Sequence, residues 1–94
     1  MKAIIDNKLY DTEKAKKVIE FRRSGTKTVD CWGTLMNLPY RHDITLYKTA
    51  KGNYFEVDED DKVIQVVTEE RVKKILTDID PDLYIKLFGE VEEG

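Results

Sequence analysis

The sequence predicts a small α+β domain, a mostly antiparallel sheet built on a central meander over residues 43–67 with two to three helices packed on one face. A strand–turn–strand pattern centred on Gly52, a β-branched segment over 62–67 and an apolar helical stripe after Thr68 all support this class. The chain has 94 residues, of which 40% are apolar. This number of apolar residues suits one modest core, so we expect a single domain spanning the chain.

Residues 43–57 predict a β-hairpin closed at Gly52, because glycine adopts the positive φ that tight turns require. Pairing Thr49 with Tyr54, across a loop of two or four residues, gives the hairpin one apolar face and one mixed face. The apolar face would hold Ile44, Leu46, Phe55 and Val57, and the mixed face Tyr47, Thr49, Tyr54 and Glu56. A three-residue loop would mix the two faces, so the first register fits a sheet covered on one side.

The segment before the hairpin is predicted in four parts. Residues 2–5 and 9–10 favour two short strands joined by an Asp-Asn turn. Asp11 and Thr12 offer an N-cap to residues 13–23, and Ser24-Gly25 follows them, so we expect a helix there. Residues 26–42 lack clean periodicity, and we expect a strand near 28–32 followed by a loop folding over the sheet.

Two helices are expected after the meander. Thr68 is a suitable N-cap for a helix over residues 69–79, whose apolar side chains recur at helical spacing. Pro81 suits the first position of another helix, and Gly89 would end it. The acidic residues 90–94 are expected to be frayed.

Composition bears on location. Charged residues make up 37% of the chain and no apolar run approaches the roughly 20 residues of a membrane span. Residues 1–6 lack a secretory apolar segment, and the lone Cys31 excludes an intramolecular disulfide. We therefore expect a cytoplasmic protein that does not enter the membrane.

Catalysis is not indicated by any group of residues. Cys31, His42 and Asp43 include the types found in a thiol nucleophile and its base, but nothing marks an oxyanion site. Cys31 beside Trp32 is expected to be a small buried hydrophobe, and His42 a solvated loop residue. The sequence also lacks glycine-rich phosphate loops and nucleophile elbows, so we predict neither an enzyme nor a cofactor.

Metal binding is not predicted either. One cysteine and one histidine fall short of a structural zinc site. Asp58, Asp60 and Glu69 match positions one, three and twelve of a calcium loop, but Lys62 stands at position five and Val63 replaces the required glycine. An acidic turn followed by a helix N-terminus explains this segment better.

Charge is distributed unevenly along the chain. The overall net charge is −3, yet residues 1–51 carry a net +5 and residues 52–94 a net −8. The predicted interaction surface combines two sheet tyrosines with basic side chains, namely Tyr47, Tyr54, Lys16, Lys17, Arg22 and Arg23. A second candidate surface is acidic and comprises Glu56, Asp58, Glu59, Asp60, Asp61, Glu69 and Glu70. Both sets are also compatible with ordinary solvated faces or mutual neutralisation.

Two segments of the chain resemble a family of short proteins of Gram-positive bacteria and their mobile elements. The matching segments are Asn7-Lys8-Leu9-Tyr10-Asp11-Thr12-Glu13 and Leu46-Tyr47-Lys48-Thr49-Ala50-Lys51-Gly52-Asn53-Tyr54-Phe55, with Thr68-Glu69-Glu70 as a weaker third. The family has no known activity, so the resemblance implies a cytoplasmic bacterial protein and a structural hairpin, without catalytic residues.

The sequence as a whole predicts a small non-catalytic binding module with another protein as its favoured partner, because tyrosines are good interface anchors. One alternative is a nucleic-acid-binding regulator that uses the basic side chains and loses affinity with salt. Another is a counter-defence protein whose acidic face mimics DNA, which requires the acidic side chains to share one surface.

Overall fold

The computed structural model describes residues 1–89, which form six strands followed by two helices. The elements are β1 Lys2–Ile5, β2 Lys8–Asp11, β3 Lys16–Cys31, β4 Thr34–Lys48, β5 Tyr54–Asp58, β6 Val63–Val67, α1 Glu69–Ile79 and α2 Pro81–Phe88. Strands β1 and β2 form a hairpin, and the others an antiparallel sheet in the order β3-β4-β5-β6. The α+β class and the central meander are confirmed. The predicted frayed tail lies outside the described residues.

The two helices cover one face of the four-stranded sheet. Leu46, Tyr54 and Val67 project from this face and pack with Val72 and Leu76 of α1 in one buried cluster. Side chains of α2 extend the cluster, and the ring of Phe88 lies 6.3 Å from that of Tyr54. The prediction that the helices pack on one face agrees with this arrangement.

The β1–β2 hairpin covers the opposite face. Tyr10 of β2 packs with Phe55 and Val57 in a second buried cluster, and the Tyr10 ring meets the Phe55 ring edge-on at 5.5 Å. Asp6 and Asn7 form the turn between β1 and β2 with φ of 51° and 63°. Asn and Asp tolerate this left-handed conformation better than other side chains, so this turn matches its sequence.

The predicted register of the central hairpin is wrong by one residue. Leu46 faces Glu56 and Lys48 faces Tyr54, so the loop holds three residues, and Thr49 N–H donates to the Asn53 carbonyl at 2.7 Å. The prediction assumed one covered face, but this sheet is covered on both. Apolar side chains of the hairpin therefore pack into a core cluster on each face of the sheet. Gly52 does adopt a positive φ, 89°, as expected.

The predicted helix over residues 13–23 is also wrong, because β3 begins at Lys16. A register irregularity between Lys17 and Ile19 makes β3 bulge, and Val18 and Ile19 both pack against the helix-side cluster. Because Val18 and Ile19 are adjacent and both point inward, they resemble part of a helical stripe in the sequence. Ile19 and Phe21, two residues apart, follow the alternation of a strand.

Residues 26–42 do not form a loop over the sheet. The expected strand near 28–32 lies within β3, but β4 starts at Thr34 and pairs with β3 along its length. The chain reverses at Trp32 and Gly33, both at positive φ. These residues therefore extend the sheet outward as a hairpin.

Both C-terminal helices are confirmed. The hydroxyl of Thr68 accepts a hydrogen bond from Arg71 N–H at 3.2 Å and caps α1. The Asp80 carboxylate accepts one from Leu83 N–H at 3.1 Å and caps α2, which begins at Pro81. Among the described residues, neither helix is long and apolar enough to cross a membrane.

Candidate interaction surface

A two-stranded arm, defined as residues 26–39, extends from the sheet. Its residues pair only with each other within the described chain, and all except Val29 are exposed. Six residue pairs at about 3.3 Å per residue make the arm about 20 Å long. The radius of gyration is 16.1 Å, compared with about 12 Å for a compact chain of this length. None of its residues belongs to either core cluster, so the arm extends away from the packed part of the fold.

The tip of the arm presents a tryptophan in a conformation that bulky side chains rarely adopt. Trp32 has φ of 55°, Gly33 has φ of 79°, and the Trp32 side chain is fully exposed at 103%. The Asp30 carboxylate accepts a hydrogen bond from Gly33 N–H at 3.1 Å and supports the turn. Asn-Gly would suit this turn better than Trp-Gly. Folding alone therefore does not explain the indole at this position.

The tip is apolar on both faces and nearly neutral. Leu35 is 75% exposed and Met36 is 45% exposed, on opposite faces beside Trp32. The arm has one basic residue, Lys27, and one acidic residue, Asp30, so its net charge is zero. In a chain that is 37% charged, this is an unusually apolar exposed surface.

The root of the arm contains a glycine opposite a tyrosine. Gly25 pairs with Tyr40, and a Cβ added at Gly25 would lie 2.7 Å from the Tyr40 ring. Glycine here allows the ring to lie across β3, where its centroid is 4.8 Å from the imidazole of His42. The arm therefore joins the sheet through packed side chains.

The structure separates the two tyrosines of the predicted interaction surface. Tyr54 is buried against the helices, whereas Tyr47 lies on the other face and stacks on Phe55 at 5.2 Å. The expectation that both lie on an uncovered face follows from the wrong register and fails with it. Neither ring is presented as an open interface anchor.

The basic members of that predicted surface are mostly paired with acids. Lys17 bonds Glu20 at 2.6 Å, near the end of β3 that holds the exposed Lys16. In the middle of β3, neighbouring arginines point to opposite faces. Arg22 Nε forms a salt bridge with Asp43 Oδ1 at 3.2 Å. The guanidinium of Arg23 forms a bidentate salt bridge with the Glu56 carboxylate, with N–O distances of 2.7 and 3.0 Å. The six predicted residues do not form one surface.

The acidic residues are likewise divided. Glu56 is buried and bonds Arg23, whereas Asp58 ends β5, and Asp60 and Asp61 lie in the turn that follows it. Glu69 begins α1 at the far end of β6 from that turn. The common surface required for a DNA-mimicking face is therefore not formed by these residues.

A histidine and two aspartates meet where β4 passes the β5–β6 turn. His42 Nδ1 lies 2.7 Å from Asp58 Oδ2 and 3.7 Å from Asp61 Oδ2, and these atoms fall within 4.8 Å of one another. Among residues 1–89, this is the one such convergence of three potential metal ligands. His42 is half-buried on a strand, not in the expected solvated loop. Because His42 is far from the aspartates in sequence, no short ligand motif indicated that these three residues would meet.

The protonation behaviour of this pair follows from its hydrogen bonds. The Asp58 hydrogen bond raises the pKa of His42 above its ordinary value, against the opposing effect of desolvation. Desolvation also acts to raise the pKa of Asp58. Hydrogen bonds from Asp61 N–H, His42 and Asp60 N–H outweigh it and bring that pKa below its ordinary value. The charged imidazolium–carboxylate pair is thereby favoured.

The suggested thiol–imidazole pair is not assembled. Cys31 is at the arm tip beside the turn and is exposed, contrary to its expected burial. His42 is at the root of the arm, opposite Arg23. The length of the arm separates the two side chains, so the imidazole is not positioned to act on the thiol.

A cleft of ≈ 480 Å³ lies between the β1–β2 hairpin and the loop between β4 and β5. Residues 7–11 form one side, and residues 49–51 with Asn53 form part of the other. Comparison with protein-family models, curated proteins and solved structures finds no match to this chain.

Proposed function

We propose that this protein is a small non-catalytic binding module that docks its arm into an apolar recess on a partner protein. The observation that carries the proposal is Trp32, fully exposed at a positive φ on the tip of an extended hairpin. Unfavourable backbone conformations persist where the surrounding structure maintains them, and they cluster at functional sites. Tryptophan is also among the residues that contribute most binding energy at protein interfaces.

The chemistry of the tip supports an apolar partner surface. Trp32, Leu35 and Met36 present apolar side chains on a narrow, neutral projection. A concave apolar site that accepts the indole would remove more of this surface from water than a flat one. The proposed partner is therefore a protein with an uncharged pocket, and electrostatic steering would contribute little to its association.

The nucleic-acid alternative has less support from the contacts. Lys17, Arg22 and Arg23 each bond a carboxylate, which reduces the positive charge available to phosphates. Nucleic-acid binding would weaken steeply with salt and with removal of these charges. Association through the arm would depend instead on Trp32 and respond weakly to salt.

The proposal is tested by comparing variants in a purified complex. A stoichiometric partner is isolated from cells that encode the protein, and affinity is measured for wild type and Trp32→Ala. We expect a loss of at least about 2 kcal/mol, a Kd increase of about thirtyfold. Val63→Ala is the matched control, since Val63 is exposed but lies on β6 away from the arm.

Several outcomes would contradict this function. A stoichiometric partner bound equally by Trp32→Ala and wild type would exclude the arm tip as the docking element. Sustained catalytic turnover by the isolated protein would exclude a purely binding role. Since the chain has one tryptophan, its fluorescence gives a direct second readout, and the emission should move to shorter wavelength when the indole enters the pocket.

A further inference from the structure

The convergence of His42, Asp58 and Asp61 has a chemistry unrelated to the arm. An imidazole nitrogen and two carboxylate oxygens are ligands found in divalent transition-metal sites. Here they lie within 4.8 Å of one another, so one ion can contact all three once it displaces the proton held between His42 Nδ1 and Asp58 and the side chains make small movements. We propose that these three residues bind a divalent transition-metal ion of the zinc class.

The backbone already positions two of the three ligands. One oxygen of Asp58 accepts hydrogen bonds from Asp60 and Asp61 N–H, both at 3.0 Å, while its other oxygen faces His42. His42 is held on β4 with Tyr40 against its ring. Ordered ligands lose less conformational freedom on binding than mobile ones. Asp58 and His42 therefore form the fixed part of the site.

Asp61 supplies the adjustable ligand. Its side chain is 63% exposed, and its nearest ionic contact among residues 1–89 is the 3.7 Å approach to His42. The carboxylate can move toward an ion without breaking a shorter bond. Three protein ligands would leave a fourth position for water, as in open zinc sites.

Local charge also favours a cation. Residues 58–61 are all acidic, and they precede β6 at the position where His42 of β4 approaches. The neighbouring Arg22 and Arg23 bond other carboxylates, Asp43 and Glu56. The site consequently carries a surplus of negative charge that a divalent ion would offset.

The donor set discriminates among ions. Calcium and magnesium prefer oxygen ligands, and calcium takes six to eight of them, whereas imidazole suits zinc and similar metals. Binding of Zn²⁺ should therefore exceed that of Mn²⁺, and excess Ca²⁺ or Mg²⁺ should not displace it. These preferences separate a ligand site from general attraction to an acidic turn.

Calorimetric titration with Zn²⁺ tests the proposal in a Cys31→Ser background, which removes the exposed thiol as a competing ligand. We expect one ion per chain, and Asp61→Asn should raise the Kd at least about tenfold. Asp78→Asn is the matched control, since it removes the same charge from the exposed surface of α1. Nitrogen NMR of His42 should show a shift at Nδ1 on zinc binding.

The outcomes are decisive in both directions. One-to-one binding with the Asp61 dependence and the His42 shift would establish the site. Absence of zinc binding to the folded protein, or equal affinity in Asp61→Asn, would overturn it. An equal loss in Asp78→Asn would show that surface charge, not ligation, attracts the ion.

Discussion

Trp32 shows how one residue can conflict with its local structure. Its turn has the same two-residue form as the turn at Asp6 and Asn7, where both side chains suit positive φ. Tryptophan does not, and a non-glycine residue in the left-handed region costs about 1–2 kcal/mol. The residue that weakens the turn is also the most exposed apolar side chain described in the chain.

Replacing Trp32 with asparagine should therefore stabilise the arm and remove partner binding. We expect slower amide hydrogen exchange across residues 26–39, corresponding to about 1 kcal/mol. Trp32→Ala provides the comparison, because it removes the indole but keeps a side chain unsuited to positive φ. Equal exchange rates in the two variants would contradict the conformational explanation.

The Arg23–Glu56 contact predicts an asymmetric response to mutation. The Glu56 side chain is only 5% exposed, whereas Arg23 is 29% exposed and can turn toward water. Arg23→Met leaves a buried carboxylate without its cation and should lower the free energy of unfolding by about 3 kcal/mol. Glu56→Gln should cost less, since it leaves no buried charge.

Urea unfolding of the two single variants measures this difference. The double variant Arg23→Met/Glu56→Leu should recover much of the loss, because apolar side chains can replace a buried ion pair. Equal losses in Arg23→Met and Glu56→Gln would show that the carboxylate is more solvated than its burial indicates.

At the scale of elements, local signals were predictive where a residue acts on its own segment. Thr68 and Pro81 located both helices, and the first strand was placed correctly. Errors arose where the outcome depends on distant packing. The β3 bulge gave its apolar residues a helix-like spacing. The hairpin register depended on the β1–β2 hairpin covering the second face of the sheet, which the alternation of apolar and polar residues does not reveal.

The site residues show the same limit. The interaction surface predicted from Tyr47 and Tyr54 required a correct register, so a shift of one residue separated them. His42 comes near Asp58 only through the pairing of β4 with β5. Trp32 and its apolar neighbours were visible in the sequence, but their lack of a covering element was not.

The arm root gives a prediction at this scale. Gly25→Ala should push the Tyr40 ring aside and destabilise residues 26–39, although alanine loses less chain entropy than glycine. In a Tyr40→Ser background the same change should be neutral or stabilising. Hydrogen exchange of the arm amides measures both steps, and similar effects in the two backgrounds would exclude the ring contact as the cause.

Across the full fold, the two core clusters and the proposed docking arm occupy separate regions. Both core clusters lie outside residues 26–39, and the sheet is closed by helices on one face and a hairpin on the other. The core therefore does not need the arm, and the arm's apolar tip does not gain stability from the core. This division allows the arm to be removed as a unit.

We expect a variant in which Asn-Gly replaces residues 26–39, joining Gly25 to Tyr40, to fold cooperatively. That pair already faces across β3 and β4, and Asn-Gly suits a two-residue turn between paired strands. Circular dichroism should retain the helices, and the radius of gyration from X-ray scattering should fall toward about 12 Å. Partner binding should disappear, whereas zinc binding at His42 should persist. A variant that fails to fold would show that the arm contributes to the core, and would contradict the separation of binding from stability.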